Sequence, residues 1–122
     1  MKFAVSLPAA DMERAKAWYA SALGLVPDQV TDFGDAWYVI DGTRMQLYAS
    51  QFAGTNKATA ATIEVDDVQA TVDGFKARGV VFEDYDYGED FRTVDGVLTA
   101  PDGHKLAWFK DSEGNILAIA PA

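Results

Sequence analysis

One histidine and no cysteine restrict the covalent and metal chemistry open to this chain. Without a thiol there is no disulfide, thiolate nucleophile, iron–sulfur cluster or cysteine-bound zinc. His104 stands alone in Asp102-Gly103-His104-Lys105, so no site can draw two imidazoles from one chain. It could act as a metal-free general base, because an unperturbed imidazole titrates at about 6.5. No serine is spaced with it as a nucleophile, and a solvated turn histidine is the simpler reading. Glu64 is the second candidate base. Dinucleotide and Walker glycine signatures are missing.

The remaining chemistry is polar and aromatic. Ser6, Arg44, Gln46, Tyr48, Thr62 and Glu64 alternate with apolar residues along strand-like segments, which places them on one concave face. Trp37 and Trp108 lie on strands that could wall the same pocket, although a strand tryptophan can equally be core. Apolar walls with a few polar groups are the usual form of a small-molecule site. Arg44 and Glu64 could instead form a structural ion pair. Residues 83–91, Glu-Asp-Tyr-Asp-Tyr-Gly-Glu-Asp-Phe, set five carboxylates among three aromatic rings. Charge and ring faces together suit a flat cationic ligand. The plainer alternative is a solvated edge whose charges discourage strand addition.

Charge points the same way. Nineteen acidic against ten basic residues give −9 at neutral pH. Such a surface repels phosphate backbones and anionic bilayers, which argues against nucleic-acid and membrane partners. With 49% apolar residues in 122, one domain with a real core is expected. No apolar run reaches spanning length. Lys2 and the apolar residues after it begin as a signal peptide would, but Pro8 and Asp11 interrupt them, so a cytoplasmic chain starting at Met1 is expected.

The elements that must position these residues come twice. Residues 2–7 read as a strand ended by Pro8. Asp11 stands where a helix N-cap belongs, with Glu13 in the first turn. Met12, Ala15, Trp18, Tyr19, Ala22 and Leu23 share a helical face, and Gly24 closes it. Strands are expected at 25–33, 37–40 and 44–49, turned at Gly34-Asp35 and Asp41-Gly42. Residues 51–59 read as a linker. Strand 60–65 then leads into a capping box from Asp66 to Gln69 and a face of Val68, Val72 and Phe75, closed by Arg78-Gly79. Strand 80–86, an irregular run to Gly103, and strands 105–110 and 116–120 complete the chain. Asp11 corresponds to Asp67 and Gly24 to Gly79, so the domain is two β-α-β-β-β modules, 1–50 and 60–122.

The helix Asp11-Met-Glu-Arg-Ala-Lys-Ala-Trp-Tyr-Ala-Ser-Ala-Leu-Gly-Leu25 resembles the first helix of the vicinal oxygen chelate superfamily. The segment Ala107-Trp-Phe-Lys-Asp-Ser-Glu-Gly-Asn-Ile-Leu117 resembles its final hairpin. That superfamily holds glyoxalase I, extradiol dioxygenases, and fosfomycin and bleomycin resistance proteins. The resemblance implies an α+β glyoxalase/bleomycin-resistance/dioxygenase fold, a cupped mixed sheet with outer helices. It also implies a homodimer, side by side or swapped.

Members that do chemistry place His, Gln or Glu at four positions, on the first and last strand of each half. There they hold a divalent ion that chelates substrate oxygens and stabilises developing charge. By matched motifs these positions are Ala4, Gln46, Ala60 and Ala118. Three alanines cannot ligate, and a one-residue slip turns the side chains to the other sheet face. A two-residue slip offers Ser6, Tyr48, Thr62 and Glu64, still without histidine. The expectation is therefore a metal-free protein that sequesters a small molecule through Ser6, Trp37, Arg44, Gln46, Tyr48, Thr62, Glu64 and Trp108, with no catalytic set. The alternative is a lyase, isomerase or dioxygenase of the superfamily, with a shifted metal site or with His104 or Glu64 as base.

Overall fold

A computed structural model describes all 122 residues. They form two compact units, one of residues 1–60 with 111–115 and the other of residues 61–110 with 116–122. The first unit holds β1 (Ala4–Ala9), α1 (Met12–Leu23), β2 (Gln29–Val30), β3 (Ala36–Ile40) and β4 (Thr43–Ala49). Its sheet runs β1-β4-β3-β2, with β1 parallel to β4 and the other pairs antiparallel. From β5 (Thr59–Val65) onward come α2 (Val68–Ala77), β6 (Thr93–Val94), β7 (Val97–Thr99), β8 (Lys105–Lys110) and β9 (Ile116–Pro121). Their sheet runs β5-β9-β8-β7-β6. The two modules of strand, helix and returning strands are those the sequence repeat implies. Neither helix is long and apolar enough to cross a membrane.

Both helices begin on the expected aspartate type. Asp11 is extended, and its carboxylate accepts from the Arg14 amide at 3.0 Å. Gly24 ends α1 at φ 70°, a left-handed position that glycine takes without strain. Ala15, Tyr19 and Ala22 form the buried face. They belong to the same core as Leu7, Ala9, Ala36, Tyr38, Met45 and Leu47. Asp67, not Asp66, caps α2 by accepting from the Ala70 amide at 3.0 Å. No capping box forms, because Gln69 turns along the helix to donate to Asp73. The second core gathers Val68, Val72, Phe82, Leu98, Leu117 and Ile119 around Phe109. Phe75 and Phe82 meet the Phe109 ring edge-on at 5.9 and 5.5 Å. Burying each such side chain is worth about 1.5–3 kcal/mol.

Three strand expectations change. Pro8 does not end β1 but lies within it, opposite Tyr48. β1 is the terminal strand of its sheet, where a missing ladder N–H is tolerated. The strand expected over 25–33 shrinks to Gln29–Val30, because the chain turns at once: the Thr31 amide donates to the Asp35 carbonyl, and the Gly34 amide to that of Thr31. Residues 80–86 keep only isolated bridges, Phe82 to Phe109 and Asp86 to Arg92. The run read as irregular supplies β6 and β7 instead.

The segment Asp111–Asn115 completes the first unit with a polar knot. Tyr19 donates its hydroxyl to Asp111 at 2.6 Å. Asp111 also accepts from the Glu113 and Asn115 amides and from Asn115 Nδ2. Asn115 Nδ2 reaches the Pro8 carbonyl as well. Glu113 takes the Asp11 amide and both Nε and Nη2 of Arg14, each at 2.9 Å, with Ser112 Oγ at 2.7 Å. Gly114, at φ 87°, lies against Gly54 so closely that a Cβ would sit 2.9 Å from the Gly54 Cα.

Candidate functional site

Alternation along the first sheet sends Leu7, Ala36, Tyr38, Met45 and Leu47 into the core and Ser6, Trp37, Arg44, Gln46 and Tyr48 to the other face. The register sets Ser6 opposite Gln46 and Gln46 opposite Trp37, so three expected residues stand in one row across β1, β4 and β3. Ser6 Oγ donates to Gln46 Oε1 at 2.9 Å. Gln46 Nε2 donates to Asp35 Oδ2 at 2.8 Å, and Trp37 Nε1 donates to the same oxygen at 2.8 Å. The Thr31 hydroxyl donates to Asp35 Oδ1. Arg44 is in none of the chain's ion pairs. Its guanidinium lies over the Trp37 ring, 4.3 Å from the centroid. Tyr48 stands outside this row. With Phe33, Asp35, Gln46 and Ala49 it lines an open depression of about 330 Å³.

Asp35 is the residue that sequence reasoning missed, reading it only as half of a turn. Its carboxylate collects three of the hydrogen bonds on this face. Donation from Thr31, then from Gln46 and Trp37, outweighs burial and holds the carboxyl below the usual aspartate range. The one available signal was an acidic side chain two residues before Trp37 at the mouth of a strand.

The donors present do not fit the superfamily's divalent ion. Ala4, Ala60 and Ala118 carry no donor atom, and Ala118 is buried. The amide oxygen of Gln46 already accepts from Ser6, and its NH₂ donates to Asp35. No three His, Cys, Asp or Glu side chains converge anywhere in the chain. Three or four hard ligands around one point are what such an ion needs.

In the second unit Trp108 is half-buried, while Phe109 turns into the core. Four rings form a circuit. Tyr85 meets Trp108 edge-on at 5.7 Å, Tyr87 stacks on Tyr85 at 6.2 Å, Phe91 meets Tyr87 at 5.6 Å, and Phe91 returns to Trp108 at 5.7 Å. Backbone bonds from Tyr87 to Phe91 and from Thr93 to Tyr85, each 2.8 Å, fold the 85–93 segment so that its rings meet. The acidic–aromatic run and Trp108, noticed separately in the sequence, are thus one shelf.

The five carboxylates of that run are not equivalent. Glu83 lies 3.3 Å from Lys110. Asp84 accepts from the Gly96 amide and Thr93 Oγ1, both at 2.9 Å, and is held below its ordinary range by those bonds. Asp86 is lowered by the Gly88 amide and by Arg92, 3.4 Å away. Only Glu89 and Asp90 are exposed and carry no ion pair or hydrogen bond.

Thr62 and Glu64 alternate with half-buried Ala61, Ile63 and Val65 along β5, and neither side chain makes a hydrogen bond. His104 sits in an exposed turn with its Nδ1 against Asp102. It borders an open hollow of about 250 Å³ at the start of α2 with Asp66, Asp67, Gln69 and Lys105. No serine, threonine or tyrosine hydroxyl reaches its ring.

Comparison with known proteins identifies the fold and the family. No curated protein matches the chain. Among solved structures, a glyoxalase/bleomycin resistance protein from Catenulispora acidiphila is 22% identical, with a TM-score of 0.72 over 100% of this chain and 98% of that one. A bleomycin-binding protein solved with bleomycin is 16% identical, with a TM-score of 0.72 and the same coverage. A lactoylglutathione lyase from Agrobacterium tumefaciens is 17% identical, with a TM-score of 0.71 over 100% of this chain and 93% of that one. At these identities the likeness is one of fold. The family model for the Glyoxalase/Bleomycin resistance protein/Dioxygenase superfamily matches residues 3–119. With nearly its whole length matched and its two-module fold shared, the chain belongs to that superfamily.

Proposed function

We propose that this protein binds and sequesters a small, flat, cationic molecule, using no metal ion and breaking no bond. The observation that carries the reading is the four-ring shelf of Tyr85, Tyr87, Phe91 and Trp108, set in a run of five carboxylates. Ring faces attract a cation through their quadrupoles, and the acidic surroundings raise its local concentration. The whole-chain charge of −9 adds to that field. Catalysis with Glu64 or His104 as base has no comparable support, since Glu64 makes no hydrogen bond and His104 pairs only with Asp102. We also propose that the working form is a homodimer, on the strength of the family resemblance.

Bleomycin is the first ligand to try, because a protein of this fold binds it. Tryptophan emission should change saturably on titration, the complex should weaken with salt, and the ligand should be recovered chemically unchanged. Glu89→Gln with Asp90→Asn removes the two free charges and should weaken binding about threefold to tenfold, chiefly through the on-rate. A ligand recovered with a bond broken would replace sequestration by catalysis. Binding with no salt dependence, unaffected by the double substitution, would make the acidic run a solvated edge.

A further inference from the structure

Hydrogen-bond bookkeeping on the first unit's open face points to a second recognition element. A carboxylate is acceptor-only, so Gln46 must turn its NH₂ toward Asp35 and its carbonyl toward Ser6. Ser6 must then spend its single proton on Gln46. Trp37 and Thr31 likewise spend their only polar side-chain hydrogens on Asp35. Every hydrogen bond in the chain Ser6–Gln46–Asp35 thereby runs inward, toward one anionic group. What remains unspent is mostly acceptor capacity: a lone pair on Asp35 Oδ1, one on Gln46 Oε1, and those of the Ser6 and Thr31 hydroxyls. A single Gln46 N–H is the exception.

Asp35 has no counter-cation. None of the chain's ion pairs involves it, and Arg44, the cation on the same face, is committed to the Trp37 ring. The carboxylate is half-buried and borders two adjoining depressions, of about 330 and 410 Å³. Phe33, whose ring is almost wholly exposed at 99%, lines both of them. A fixed anion with unspent acceptors beside a bare ring is the complement of a cation that carries N–H groups. Water satisfies the acceptors in the free protein but cannot neutralise the charge.

We infer that Asp35, positioned by Thr31, Trp37 and Gln46, is an anchor for an N–H-bearing cation, a primary ammonium, amidinium or guanidinium group. The inference deepens the reading of the protein as a cation binder by naming the functional group recognised in the first unit. It does not depend on the aromatic shelf of the second.

The test uses the indole N–H resonances of the whole protein in a ¹⁵N correlation spectrum. Trp37 donates its indole proton to Asp35 and Trp108 belongs to the shelf, so the two signals separate the two readings. Trp37→Phe and Trp108→Phe assign them. Methylguanidinium and n-butylammonium are titrated, with tetramethylammonium as a cation of equal charge and no N–H. The two N–H donors should move the Trp37 resonance saturably, and tetramethylammonium should bind at least about tenfold more weakly. Asp35→Asn should abolish the response while the rest of the spectrum stays native. Equal affinity for tetramethylammonium on the unaltered protein would overturn the inference without any variant. So would a saturable Trp37 shift that persists in Asp35→Asn, or no Trp37 shift at all. Movement of Trp108 alone would leave sequestration standing and remove the Asp35 anchor. Movement of Trp37 alone would support the anchor and count against the shelf.

Discussion

Replacing Glu113 by glutamine should destabilise the protein by an amount that depends on pH in a known direction. The Glu113 side chain is fully buried, while its partner Arg14 is 54% exposed. Burial alone would raise the carboxyl. Donation from Arg14, Ser112 and the Asp11 amide overcomes it and brings the carboxyl from 4.5 down to about 2. Each tenfold change in proton affinity between folded and unfolded chains is worth about 1.4 kcal/mol. The full difference would be about 3 kcal/mol, and solvent screening at the exposed Arg14 end lowers this to about 2 kcal/mol. The sign follows from a depressed acid. The contribution is complete above the unfolded value of 4.5 and is lost as pH falls through the folded value of about 2. Urea unfolding of the native protein and Glu113→Gln, from pH 7 to pH 2, measures it. The gap between the two should hold near 2 kcal/mol down to about pH 5 and close by about pH 2. The other lowered carboxylates, Asp35, Asp84, Asp86 and Asp102, occur in both proteins and cancel. A gap under about 0.5 kcal/mol at pH 7, or one that does not narrow in acid, refutes the argument.

Gly114→Ala should cost at least about 3 kcal/mol in thermal or denaturant unfolding, because a Cβ 2.9 Å from Gly54 meets backbone at a positive φ; a loss under 1 kcal/mol would contradict the packing. Tyr38→Phe should be neutral or stabilising by up to about 1 kcal/mol, since the buried Tyr38 hydroxyl has no hydrogen-bond partner. A clear loss of stability would mean that the hydroxyl is bonded. Asp67→Ala should remove about 1 kcal/mol through the lost cap on α2, whereas Asp66→Ala should change little; the reverse order would restore the capping box. Elemental analysis of untagged protein should find no stoichiometric zinc, nickel, manganese or iron; one metal per chain, lost in Gln46→Ala, would reinstate an enzymatic reading.

The parts of this protein that were legible in sequence are those set by short-range rules. Asp11 and Asp67 cap helices because an aspartate before an apolar helical face can bond the first free amides. Leu7, Met45 and Leu47 turn inward and Ser6, Gln46 and Tyr48 outward because strand side chains alternate. The repeat of caps at Asp11 and Asp67 carried the two-module fold, and two motif segments carried the family. What escaped depends on where the chain returns in space. Asp35 acquires its partners only when the 31–35 turn closes and β4 brings Gln46 beside Trp37, a juxtaposition with no local signature. Pro8 misled because its rule concerns interior strands, and nothing local marked β1 as terminal. The 80–86 segment has strand-like residues, yet it pairs only at Phe82 and Asp86, the rest being used to bring rings onto Trp108. The acidic run was visible as charge, but which carboxylates are free and which hold turns together could not be read from their order.

The knot at Asp111–Asn115 bears on how this gene could be divided. The repeat suggests cutting the coding sequence near residue 60 into two independent halves. The first unit, however, is discontinuous along the chain, and five of its residues are encoded some fifty positions downstream. A transcript ending at residue 60 would leave the buried Tyr19 hydroxyl without Asp111 and the Pro8 carbonyl without Asn115. A half-length chain would therefore have to take that pentapeptide from another copy to complete its first unit. Splitting the protein for fragment complementation is better done within the exposed Asp102–His104 turn than at the seam the repeat advertises.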